Sequence, residues 1–122
     1  MEGDSASGYP RRQGLVISSL MDWEALQPQL EADLFSQPEL PNLDFSQSIL
    51  VIVFAGEKPS GGYTIQVKRI IQTDQEVVVY VTETKPARDQ LAITQITYPY
   101  QIVILPRTTL PVHFKFEAQV AP

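Results

Sequence analysis

The chain contains no cysteine. That excludes a disulfide framework, a thiolate nucleophile and any thiolate zinc site. Histidine is nearly as scarce, with His113 standing alone, and there is no Asp-rich loop. Neither a metal site nor a cofactor site is therefore expected. Positive charge is also sparse: 9 Lys and Arg against 14 Asp and Glu give a formal net charge of −5. The basic residues are scattered apart from the pair Arg11-Arg12. Nucleic-acid binding normally needs a clustered basic face, so it is not expected. No apolar run approaches the roughly 20 residues of a membrane-spanning helix. The longest, Ile49 to Ala55, is strand-sized.

What is present suits one folded domain. At 122 residues, with 43% hydrophobic and 19% charged residues, the chain can bury a single core and has too little material for a second. Residues 1–13 are rich in Gly, Ser, charge and Pro and read as a flexible tail, leaving residues 14–122 as the domain. Met1 to Ser5 is acidic and polar, without the basic-then-apolar order of an export signal. A chain complete as given would be cytoplasmic. No repeat is visible.

Hydrophobic periodicity places the elements. Gly14 to Leu20 suits a short strand. Asp22 opens a helix in which Trp23, Leu26 and Leu30 recur at helical spacing, with Pro28 shortening or breaking it. Gln37 to Asn42, with two prolines, is a connection. Ile49 to Phe54 is continuously apolar, as in a strand covered on both faces. Tyr63, Ile65 and Val67 alternate with Thr64, Gln66 and Lys68, and Ile70-Ile71 breaks the alternation, which predicts a bulge or strand end there. Thr73 to Gln75 is turn-like and Val77 to Thr82 pairs back as a hairpin. After the loop from Lys85 to Gln90, Ile102 to Leu105 forms a further central-type strand that Pro106 ends. Val112, Phe114, Phe116, Ala118 and Val120 alternate with His113, Lys115, Glu117 and Gln119, so one side faces the core. The pattern is mostly β: a small antiparallel β-sandwich or open barrel with one N-terminal helix.

The least generic segment is Gly56-Glu57-Lys58-Pro59-Ser60-Gly61-Gly62-Tyr63. Pro59 fixes one backbone angle and the Gly61-Gly62 pair permits positive φ, so this link takes shapes closed to most sequences. A tight structural turn is the plainer reading, and a presented binding loop the sharper one. Tyr98-Pro99-Tyr100 is similar: two rings beside a proline either anchor a partner or cover an edge of the sandwich.

Catalysis finds little support. His113 lies on the wet side of its strand, Ser60 lacks the G-x-S-x-G frame, and the acids, including Glu57 and Glu83, are spread singly in the manner of a solvated face. The glycines are followed by a β-branched strand, whereas a phosphate loop leads into a helix. No catalytic residue is assigned.

From Asp44-Phe45-Ser46 through the strand Ile49 to Phe54 and Gly56 to Ile65, the chain resembles the PrcB family of bacterial protease-complex subunits. Val79 to Thr82, Thr84-Lys85-Pro86, Thr97 to Val103 and Leu105-Pro106 follow in that family's order, and Met21 to Leu26 resembles its preceding helix. The likeness runs from about Leu15 to Phe116. It implies a small β-sandwich that binds, stabilises or regulates a cell-envelope protease without hydrolysing anything itself. It also implies a cell-envelope or secreted location, although this chain has neither an export signal nor the cysteine that such proteins often lipidate. The Pro59-Ser60-Gly61-Gly62-Tyr63 loop is similar, more locally, to the loops of chagasin-like cysteine-protease inhibitors.

The expectation is thus a non-catalytic protein-binding domain whose partner is another protein, in the first instance a protease. The alternatives are a β-sandwich that binds a small molecule or glycan, and a direct protease inhibitor. The candidate partner-binding residues are Lys58, Pro59, Ser60, Gly61, Gly62, Tyr63, Tyr98, Pro99 and Tyr100. Monomer and dimer are both compatible with the acidic charge and the edge strands.

Overall fold

The computed structural model describes residues 2–3, 6–30, 43–87 and 94–121, and seven strands and one short helix account for most of these described residues. The strands are β1 (Glu2–Gly3), β2 (Gln13–Ile17), β3 (Ser48–Phe54), β4 (Thr64–Gln72), β5 (Val77–Lys85), β6 (Tyr100–Pro106) and β7 (Val112–Val120), with helix α1 at Leu20–Leu26. They form two sheets, ordered β1-β6-β3-β2 and β4-β5-β7. The predicted Gln37 to Asn42 connection and the end of the Lys85 to Gln90 loop lie outside the described residues.

Strand β3 shows why the fold has three layers. Its side chains alternate, and both faces are covered. Leu50, Ile52 and Phe54 pack with Trp23, Leu26 and Leu30 on the helical side, while Val51, Val53 and Ala55 pack with Ile65, Val77, Val79 and Val81 of the other sheet. Each such fully buried aliphatic side chain stabilises the fold by about 1.5–3 kcal/mol. The continuous apolar run of this strand is therefore a consequence of burial on two sides.

The helix begins one turn's capping earlier than the sequence implied. Ser19 is the cap, its Oγ accepting from the Asp22 backbone N–H at 3.2 Å, and Asp22 sits within the first turn. The acid there favours the helix N-terminus through its charge. Pro28 stops the α-helix at Leu26, and Gln27–Gln29 continue as a 3-10 turn.

Four sequence expectations change in the fold. First, β5 pairs with β7 in parallel, although its pairing with β4 is antiparallel. The chain leaves β5, descends along β6 in the opposite sheet and returns up β7, so β5 and β7 share a direction. Second, the bulge lies between Val67 and Arg69, and β4 then continues through Ile70-Ile71 to Gln72. The extra residue resets the alternation, so that Lys68 and Arg69 both face water and Ile70 turns to the core. Third, the inward alternation of β7 ends at Phe116; Ala118 and Val120 are exposed, although both are still paired with β5. Fourth, the segment expected to be a tail is tied down. Glu2–Gly3 pair with β6, Ala6 is buried, and the Tyr9 ring stacks on Phe54 at 4.2 Å.

The open side of the sandwich is closed by a close approach of β2 to β7. A Cβ added to Gly14 would overlap the ring of Phe114. Gly14→Ala is expected to force that ring aside and destabilise the fold by about 1–3 kcal/mol, read as a lower urea midpoint at unchanged m-value.

Candidate partner-binding site

The inward positions of β5 are Val77, Val79, Val81 and then Glu83, which is 5% exposed. A buried carboxylate needs charge and hydrogen-bond partners. Glu83 has two: Arg12 Nη2 at 2.6 Å from Oε2, and the Lys58 ammonium against Oε1. Each cation also faces a ring, Arg12 that of Phe116 at 5.8 Å and Lys58 that of Tyr63 at 5.7 Å. This carboxylate was expected on a solvated face. The alternation of β5 carries the signal that it lies inside, because Glu83 is in step with the three valines.

Lys58 is thereby an anchor of its loop, with only 16% of its side chain exposed. Its backbone forms a two-way bridge with Thr97, N–H to O at 2.8 Å and the return bond at 2.9 Å. The Thr97 hydroxyl donates to the Ser60 carbonyl at 2.9 Å. The Ala55 N–H donates to the Pro99 carbonyl at 2.9 Å. The Tyr98 hydroxyl reaches Glu57 Oε1 at 3.0 Å. Residues 56–63 and 97–100, far apart in sequence, thus form one structure.

Of the glycine pair, Gly62 takes the positive φ of +86°, with Pro86 against the position its Cβ would occupy. A second glycine at φ +86°, Gly56, lies against the backbone of Pro10 to Arg12, with an added Cβ 2.9 Å from the Arg12 nitrogen. The Glu57 N–H donates to the Pro10 carbonyl at 3.0 Å. Two of these constraints tie the loop to the N-terminal segment, and neither was read from the sequence.

The predicted contact residues separate into surface and support. Pro59 and Gly62 are exposed; Ser60, Gly61, Tyr63 and Tyr98 are half-buried. Pro99 and Tyr100 are buried, Tyr100 at 2% exposure, so the second ring of that motif belongs to the core and not to a contact surface. Between the sheets an open hollow of about 360 Å³ is lined by Tyr63, Thr64, Ile65, Pro99 and Tyr100, with Glu2 and Gly3 at its edge. The two tyrosine-bearing segments therefore share one concavity. Among the described residues, no three of His, Asp and Glu converge to hold a metal.

Two outcomes follow. Glu83→Ala leaves Lys58 without its buried partner and is expected to cost about 3 kcal/mol, whereas Arg12→Ala, whose side chain is 44% exposed, costs less; chemical unfolding of both variants checks the order. The hydrogen bond to Glu57 holds the Tyr98 phenol above its ordinary value of 10.0. Its stabilising contribution is full below that pH and is lost as pH rises through the folded-state value. Glu57→Gln should bring the phenolate absorbance of Tyr98 on at lower pH.

No curated protein and no solved structure matches this chain. Residues 49–106, from the start of β3 to the end of β6, match the family described as PrcB C-terminal. That span holds the glycine loop, Glu83 and the tyrosine segment, the parts that together form the hollow and its anchor. Over this segment, the chain is similar to the PrcB C-terminal family.

Proposed function

We propose that the protein is a non-catalytic binding domain, an accessory or regulatory subunit whose partner is a protease. The observation that supports this reading best is the convergence of Tyr63 and Pro99 on one open hollow. A half-buried tyrosine at the rim of a hollow, next to a loop that exposes Pro59, is the kind of rigid, amphipathic surface that anchors protein partners. The Glu83 ion pairs and the Lys58–Thr97 bridge hold both walls in place before any partner arrives. Such preorganisation lowers the entropic cost of binding. The protease assignment itself comes from the family likeness of the loop and tyrosine segments, and the geometry is compatible with it.

The test is affinity purification on the intact domain, with cross-linking, against Tyr63→Ala and Pro59→Ala variants. A protease retained by the native surface and lost from the Tyr63→Ala variant, at unchanged unfolding midpoint, supports the proposal. Retention of a glycan or small molecule in place of protein overturns it, as does equal retention of the protease by the variant.

A further inference from the structure

On the far side of the molecule, the outer face of β4-β5-β7 collects positive charge that the sequence disperses. The antiparallel register sets Arg69 opposite Tyr80, and the parallel register sets Lys115 opposite Tyr80 on its other flank. The Arg69 guanidinium carbon lies 4.3 Å from the centre of the Tyr80 ring and the Lys115 Nζ 5.7 Å from it. The bulge in β4 adds Lys68 beside them. Lys68, Arg69, Tyr80, Thr82, Lys115 and Glu117 border a shallow hollow of about 410 Å³.

Two cations flank one aromatic ring here, and each raises the electrostatic energy of the other. The face of the ring offsets part of that cost. Among the described residues none of the three cations pairs with a carboxylate. Glu117 is the acid bordering the hollow, and Glu76 lies further along, 3.7 Å from His113. A net-acidic chain of formal charge −5 thus carries a local positive patch made by the exposed Lys68, Arg69 and Lys115. That arrangement is complementary to a short segment of negative charge.

We propose that this face binds an acidic peptide segment of a protein partner, with carboxylates received by Arg69 and Lys115 and the peptide laid across the Tyr80 ring. Arginine suits the role because its planar fork takes a carboxylate in two parallel hydrogen bonds. Nucleic acid fits less well, since a long polyanion would meet few cations and the repulsion of the whole acidic chain. The proposal is independent of the hollow beside Tyr63.

The experiment is an NMR titration of the labelled full chain with a short synthetic peptide alternating Glu and Thr, with its Gln counterpart as control. The Glu peptide is expected to shift the Tyr80 ring and Arg69 side-chain resonances, and the Gln peptide to leave them in place. Binding should weaken as salt rises from about 0.05 to 0.3 M. The charge-neutral pair Arg69→Gln and Lys115→Gln, both at exposed positions, should weaken it by about tenfold, the loss of two exposed ion pairs, at unchanged unfolding midpoint. Unmoved Tyr80 and Arg69 resonances in the native chain overturn the proposal without reference to any variant. Tighter binding of a single-stranded oligonucleotide or of anionic phospholipid vesicles than of the peptide also overturns it.

Discussion

Glu83 is the point on which the candidate site turns. It occupies the last inward step of the central strand of one sheet, where a fourth valine would have continued the core. A carboxylate so far from water is tolerable only with opposite charge beside it, and both available cations come from elsewhere in the chain. Arg12 brings the N-terminal segment and Lys58 brings the glycine loop. A buried ion pair is weak evidence for stability in itself, since hydrophobic residues of similar volume often serve as well. What it does here is join three distant segments, since Lys58 of the loop and Arg12 of the N-terminal segment both meet the one carboxylate of β5.

The remaining contacts follow from that placement. With Lys58 drawn inward, its backbone meets Thr97, and Thr97 reaches across to Ser60. The tyrosine segment then runs alongside the loop, its first ring held at the surface by Glu57 and its second driven into the core behind Phe54. Gly56 and Gly62 supply the backbone angles that let the loop turn twice within seven residues. The hollow beside Tyr63 is the space left between two sheets whose connecting segments are pinned at one end.

The opposite face shows the same logic with different residues. One inserted residue in β4 changes the phase of the strand, and Lys68 and Arg69 come out together as a result. The parallel return of β7 then lays Lys115 on the other flank of Tyr80. Neither event is local. The domain therefore presents two chemically different surfaces, one aromatic and concave, one basic and shallow.

Period-two alternation and continuous apolar runs already identified β3, β4, β5 and β7, and the helical spacing of Trp23, Leu26 and Leu30 identified α1. Those patterns are written in neighbouring residues and need no partner to be read. The unusual backbone of the glycine loop was legible for the same reason, through Pro59 and Gly62. Alternation states which side chains share a face, however, and not which neighbour covers it. The burial of Glu83 and Tyr100, the anchoring of Glu2–Gly3, Ala6 and Arg12, the parallel course of β7 and the gathering of Lys68, Arg69 and Lys115 all depend on pairings between distant parts of the chain. Only the folded arrangement of the two sheets sets those pairings, because register and strand direction are properties of contacts that the linear chain has not yet made.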